Sequence, residues 1–214
     1  MEASVLGRLS EYCYGNGEGV PKDNSQMLYW VEKSANAKNN SAQIYLGIMY
    51  LAGNHVPEDV AKGQRLINSG VDGLLANLGN LTREEMLIIG FCYRYGFGVN
   101  EDIEKAIEWY TKASKKGDPE AQNALGDIYL NGYDEIVAEQ PERAVKWYKK
   151  ACQKRLSSAL VSLGDCYLNG CGVNENEEEA LRYYMIAVEE EYEDAYLRIA
   201  NCYRNGYGVH KDYS

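Results

Sequence analysis

Apolar positions in this chain return on a helical period that is itself nested inside a longer repeat. Ala159, Leu160, Leu163, Gly164 and Tyr167 fall at i, i+1, i+4, i+5 and i+8, one stripe of an α-helix. Asn169-Gly170 follows as a stop, because glycine accepts the left-handed residue that ends a helix. After the loop Cys171–Asn176 a second stripe opens. Asn176 and Glu179 stand at capping-box spacing, and Ala180, Tyr183, Tyr184 and Ala187 are its apolar face. The segment predicts two helices joined by a tight turn.

The segment Leu163–Val173, LGDCYLNGCGV, recurs as SEYCYGNGEGV (Ser10–Val20), LGIMYLAGNHV (Leu46–Val56) and IGFCYRYGFGV (Ile89–Val99). It recurs again as LGDIYLNG (Leu125–Gly132) and IANCYRNGYGV (Ile199–Val209). The slot of Gly164 is filled by Glu11, Gly47, Gly90, Gly126 and Ala200 in the other copies, at spacings of 36, 43, 36, 38 and 36. Periods of this size mean stacked helix pairs. The second-helix stripe returns as Met27, Trp30, Val31, Ser34, as Ala106, Trp109, Tyr110, Ala113, and as Ala144, Trp147, Tyr148, Ala151. Small residues flank a bulky pair, as where a backbone nests against a large neighbouring side chain. Asp118-Pro119 and Thr82 with Glu85 are further helix-start signals. The fold class expected is all-α, one repeat domain over 1–214, with repeats near 1–40, 41–81, 82–118, 119–156, 157–192 and a partial 193–214.

Two places break the pattern. The second copy fills its second stripe with Gly63, Leu66, Ile67 and Gly70, places His55 where other loops have Gly, and is followed by the insertion Val71–Leu81, expected as a loose or short-helical connection. In the fourth copy the loop Tyr133–Gln140 is longer and acidic, expected to protrude. The last copy ends with one helix and is read as cut short.

Charge narrows the partners. The chain has 22 Lys and Arg against 32 Asp and Glu, a net charge of −10, which repels phosphate backbones and anionic lipid. No nucleic acid and no membrane insertion are expected, since no run approaches the ~18 apolar residues of a membrane helix. Cys13, Cys92, Cys166 and Cys202 share one slot, about a repeat width apart, too far for disulfides. They read as packing residues of a reduced, cytoplasmic chain. The two histidines lie in loops four repeats apart and no Cys-x-x-Cys occurs, so metal: none and cofactors: none are the expectations. No nucleophile sits in a recognisable motif, so an enzyme is not expected.

The L-G-x-x-Y segment, the G-x-G-V loop and the A-x-x-W/Y-Y-x-x-A second helix, as in Gly96-Phe97-Gly98-Val99 through Ala106, Trp109, Tyr110 and Ala113, resemble the Sel1-like repeat, a relative of the tetratricopeptide repeat. The resemblance implies a right-handed α/α superhelix (solenoid) whose first helices line a concave surface, and a non-enzymatic adaptor that holds other proteins together. One secreted branch of the family is cysteine-rich, with paired cysteines and penicillin-binding hydrolase activity; Cys152 stands in a similar KAC segment, but Ala159, Leu160 and Val161 follow where its partner cysteine would lie. That hydrolase is one alternative, and a structural spacer within a larger protein is another.

By analogy with the tetratricopeptide superhelix, slots at −3, +1, +4 and +5 from the Gly slot face the groove, off the packing stripe. The candidate partner-binding residues there are Tyr12 and Asn16; Phe91, Arg94 and Tyr95; Asn123, Asp127 and Asn131; Asp165 and Asn169; and Asn201, Arg204 and Asn205. Two readings stay open for them. The Asn residues either form a polar ladder for a peptide backbone or simply end their helices. Phe91, Arg94 and Tyr95 either anchor a partner or pack against the insertion. The partner expected is a protein or peptide, and the chain is expected to be a monomer.

Overall fold

The computed structural model describes residues 24–133 and 136–208, and these are all-α apart from one isolated bridge. The chain divides into two compact units, Met1–Ala106 and Ile107–Ser214. In the first unit α1 (Asn24–Asn36), α2 (Asn40–Ala52), α3 (Val60–Leu75), a 3-10 turn (Leu78–Asn80) and α4 (Arg83–Tyr95) follow in order. Helix α5 (Ile103–Lys115) runs across the division, and α6 (Pro119–Asn131), α7 (Pro141–Cys152), α8 (Ser157–Asn169), α9 (Glu177–Glu189) and α10 (Glu193–Asn205) complete the second unit.

The helix ends follow the sequence signals. Thr82 and Glu85 form the full capping box, with Oγ1 of Thr82 accepting from the Glu85 N–H at 3.1 Å and the Glu85 carboxylate accepting from the Thr82 N–H at 2.8 Å. Asp118, fully buried, caps α6 through the Ala121 N–H at 2.8 Å, with Pro119 in the first turn. Asn176 caps α9 through the Glu179 N–H, but the Glu179 carboxylate turns outward to Arg182 instead of closing a box. Helices α2, α4, α8 and α10 each end on a left-handed glycine whose N–H reaches the carbonyl four residues back.

Each loop is then tied down the same way. The N–H groups of Asp59, Asp102, Gln140 and Asn176, just before a second helix, donate to the carbonyls of Tyr50, Tyr93, Tyr129 and Tyr167 on the first. These tyrosines occupy one slot, three residues after the Gly slot, so these four hairpins close on the same bond. In the fourth copy Gly132 has an extended ψ, and Tyr133 pairs with Val137 across the added residues before that bond re-forms.

Packing divides the bulky pair in three of the second helices. Tyr148 and Tyr184 are completely enclosed, as is Val31 in the first copy. The other member lies under a cation: Lys33 over Trp30 at 4.8 Å, Lys112 over Trp109 at 3.8 Å, Lys150 over Trp147 at 4.1 Å and Arg182 over Tyr183 at 4.8 Å. Trp109 is buried along with Tyr110, whereas Trp30, Trp147 and Tyr183 keep part of their surface in solvent, and for those pairs the expectation that both members sit on the core stripe is corrected. Trp30 is half exposed, because two adjacent bulky residues subtend about 100° around a helix and only one can point at the facing backbone.

The irregular second copy has its own packing logic. A Cβ on Gly47 would lie 2.7 Å from the Gly63 carbonyl, and one on Gly70 would lie 2.5 Å from the Asn40 carbonyl, so α2 and α3 approach backbone to backbone. The insertion is more regular than expected. Helix α3 continues through Leu75 with Val71 and Leu74 buried, and only Leu78–Asn80 departs into a 3-10 turn. His55 takes a left-handed φ of 61°, the conformation that Gly98, Gly172 and Gly208 adopt at the same loop position.

Candidate functional site

The residues singled out for partner binding fall on three different footings, and Tyr12 and Asn16 lie outside the described residues. At the end of α4, Phe91 is buried, which corrects its placement off the packing stripe. It anchors a small aromatic group, with Tyr95 at 4.6 Å and Phe97 at 5.6 Å between ring centroids. Tyr95 is exposed at the edge of this group, and the Arg94 guanidinium lies 5.3 Å from its ring. An exposed tyrosine on an aromatic base beside a guanidinium combines the side-chain types that dominate protein interfaces.

In the second unit the polar slots turn inward. Asp127 accepts the Tyr148 hydroxyl at 2.9 Å, and Asp165 accepts that of Tyr184 at 2.7 Å. Asp165 is also paired with Arg198 of α10 at 2.8 Å. The glycine just before each aspartate makes room for the same tyrosine: a Cβ on Gly126 or Gly164 would stand 2.4 Å from Cε1 of Tyr148 or Tyr184. A Gly-Asp pair on the first helix thus seats the ring and holds the hydroxyl of the second. Asp127 and Asp165, expected to face a partner, are engaged within the fold. Asn123, also expected in the groove, is buried. Both aspartates thus serve the contact between the two helices of their own pair, and Asp165 reaches the following helix as well through Arg198.

The asparagines end helices. Nδ2 of Asn131 donates to the Asp127 carbonyl and Nδ2 of Asn169 to that of Asp165, each four residues back. Both residues are exposed. Asn201 is half-buried, and Arg204 and Asn205 are exposed at the end of α10.

Electrostatics follow from this burial. Desolvation raises the Asp165 carboxyl, and the Tyr184 hydrogen bond and Arg198 pull it part of the way back. Tyr148 and Tyr184 are raised above the usual tyrosine range, first by burial and then by the aspartate each one meets. Burial pushes the thiols of Cys92, Cys152 and Cys166 up to about 12 and raises that of Cys202. The five described cysteines are free. Among the described residues no three His, Cys, Asp or Glu side chains are placed to hold a metal, and no helix is long and apolar enough to cross a membrane.

The thiols give a direct check. With Cys13→Ser in place, iodoacetamide at pH 8 should modify half-exposed Cys171 well before Cys92, Cys166 and Cys202, which react only on unfolding. Because the folded pKa values lie above the unfolded 9.0, the stability held by neutral thiols is complete below pH 9 and is lost as pH rises towards 12. Urea midpoints that rise between pH 9 and 11 would contradict this.

Helix pairs that recur every 36 to 43 residues, four of them closing on one backbone bond and two seating a tyrosine on a Gly-Asp pair, define an α/α repeat array of the solenoid class. The Sel1 repeat model matches residues 5–39, 40–69, 86–118, 119–155, 157–190 and 193–214, and the chain belongs to that family. A Sel1 repeat protein from Oxalobacter formigenes is similar over 98% of this chain and 82% of its own, with 29% identity and a TM-score of 0.63. The protective antigen c5321 of uropathogenic Escherichia coli covers 99% of this chain with 43% of its own length, at 27% identity and a TM-score of 0.59. The ERAD-associated E3 ubiquitin-protein ligase component HRD3A of Arabidopsis thaliana is 42% identical over 48 residues, which are 22% of this chain and 7% of that protein. The chain spans about a quarter or less of the length of the curated relatives it matches. Sel1 repeats generally mediate protein–protein interaction and are typically non-enzymatic scaffolds.

Proposed function

We propose that this chain is a binding module for a polypeptide partner and that its principal anchor is the exposed end of α4, Tyr95 with Arg94 on the Phe91–Phe97 base. The observation that carries this reading is the aromatic and guanidinium cluster itself. Tyr95 presents a large rigid ring at little entropic cost, and the buried Phe91 holds it from beneath. The acidic balance favours a basic or neutral partner. The similarity of a short segment to an E3 ligase component is consistent with a place in a multiprotein assembly.

Selection of a phage-displayed random peptide library on the intact chain tests this. Arg94→Ala with Tyr95→Ala should weaken the selected peptides at least tenfold, since Tyr95 is exposed and Arg94 partly so, and neither is enclosed in the core. Peptides that bind the Arg94 and Tyr95 double variant undiminished would remove α4 as the anchor.

A further inference from the structure

Helix α8 ends on two cysteines joined by one backbone bond. Gly170 takes the left-handed φ of 66° that closes the helix, and the Cys171 N–H beyond it donates to the Cys166 carbonyl at 2.9 Å. A bond of this reach across a helix end brings the side chains of its two residues together. The Phe97 N–H donates to Cys92 and the Tyr207 N–H to Cys202 in the same way, so those copies set an aromatic ring at the outer position. In the fifth copy both positions carry thiols.

The backbone fixes this pair at bonding range. Residues joined by a direct N–H···O=C bond stand about 5–6 Å apart at their Cα atoms, inside the span of a disulfide. The two thiols differ in access: Cys166 is 1% exposed, whereas Cys171 is half-buried. Sγ of Cys171 donates to the Asn169 carbonyl at 3.9 Å, which turns it back towards the helix end. The loop is also rigid. Cys171 lies between two left-handed glycines, and a Cβ on Gly172 would stand 2.3 Å from the Pro141 carbonyl, so this backbone rests directly on α7. An outer thiol open to solvent with an inner thiol behind it is the arrangement of an attacking and a resolving cysteine.

We infer that Cys171 and Cys166 form a thiol modification site that reacts with small-molecule disulfides of the glutathione class. The Cys171 thiolate attacks one sulfur of glutathione disulfide, forms the mixed disulfide and expels one glutathione thiolate, which takes up the proton that Cys171 lost. Cys166 then gives up its proton as its sulfur attacks that of Cys171, and the second glutathione leaves as a thiol. Two protein thiols become one disulfide, and one glutathione disulfide becomes two thiols. Burial raises the Cys166 thiol, so the second step is the slower one. The product ties the loop that rests on α7 to the end of α8. The site is separate from the α4 anchor, and its test is independent of it.

The intact chain is equilibrated in glutathione redox buffers, quenched with N-ethylmaleimide and mapped by tryptic mass spectrometry. Arg155 and Arg182 bound a tryptic peptide that holds Cys166 and Cys171 and no other cysteine. That peptide should be recovered as its internal disulfide, at an oxidant ratio at least tenfold lower in native buffer than in concentrated urea. Because the fold then favours the disulfide, oxidation should also raise the urea midpoint. Cys166→Ser should accumulate the glutathione mixed disulfide at Cys171, and Cys171→Ser should leave Cys166 unmodified. Tyr207→Cys sets an exposed thiol beside Cys202 under the same backbone bond and should create a second disulfide. Oxidation that is no easier in native buffer than in urea overturns the proposal. So does a mixed disulfide that persists with Cys166 present, or a Tyr207→Cys chain that forms no second pair.

Discussion

Gly172→Ala should destabilise the chain by at least about 3 kcal/mol, whereas Gly170→Ala, two residues earlier in the same loop, should cost about 1 kcal/mol. Both glycines are left-handed, with φ of 66° at Gly170 and 70° at Gly172, so alanine pays the same conformational penalty at either. Their surroundings differ. A Cβ on Gly170 meets nothing nearer than 3.6 Å. A Cβ on Gly172 would fall 2.3 Å from the carbonyl carbon and oxygen of Pro141 and 2.6 Å from the Glu142 nitrogen. Those atoms are backbone at the start of α7, so no side-chain rotation relieves the clash, and one repeat must move away from the other. Gly208 lies against Glu177 and Glu178 at the start of α9 in the same manner, 2.6 Å from a carbonyl oxygen. The second glycine of the loop is therefore the point where one repeat rests on the previous second helix. Urea unfolding followed by far-ultraviolet circular dichroism measures both variants, and equal losses would show that the contact contributes nothing.

The second large effect is a change of sign. Gly164→Ala should destabilise by about 2 kcal/mol with Tyr184 in place, and should stabilise by up to about 1 kcal/mol with Tyr184→Leu. Glycine inside a helix is unfavourable by about 1 kcal/mol relative to alanine, so its presence here needs an offsetting contact. That contact is the enclosed Tyr184 ring, whose hydroxyl is bonded to Asp165 on the same helix as Gly164, so the ring is fixed against that helix and cannot easily retreat from an added methyl group. With leucine at 184 the methyl group fills space that the ring vacates, and only the helix preference remains. A double-mutant cycle on Gly164 and Tyr184 gives the coupling directly. Additive values, or Gly164→Ala destabilising equally in both backgrounds, would remove the seating role of the Gly-Asp pair.

Much of the fold was legible because local rules dictate it. The capping box of Thr82 and Glu85, the Asp118-Pro119 start and the Asn-Gly helix ends depend on residues a few positions apart, and the backbone has few ways to satisfy them. The close approach at Gly164 was legible too, since a mid-helix glycine at a fixed slot has few other uses. The candidate surface was less so. Arg94, Tyr95, Asn131, Asn169, Arg204 and Asn205 reach solvent at least in part, but Phe91 and Asn123 are buried, and Asp127 and Asp165 serve the fold. Exposure at these slots depends on the helices packed against them, the second helix of the same pair included, which a single-helix projection omits. The signal that was available is that Asp follows Gly wherever Tyr148 and Tyr184 occupy the facing stripe.

What the amino-acid sequence determined alone was the helical period, the helix ends, the register of repeats and the Sel1 resemblance, because each rests on interactions within about one repeat. Tertiary structure decided that Tyr148 and Tyr184 are enclosed while Trp147 and Tyr183 are not, that Asp127 and Asp165 face tyrosines instead of a partner, and that Gly172 rests on Pro141. Those outcomes depend on distances between elements far apart in the chain, where a shift of an ångström decides whether a side chain is a contact, a clash or a surface.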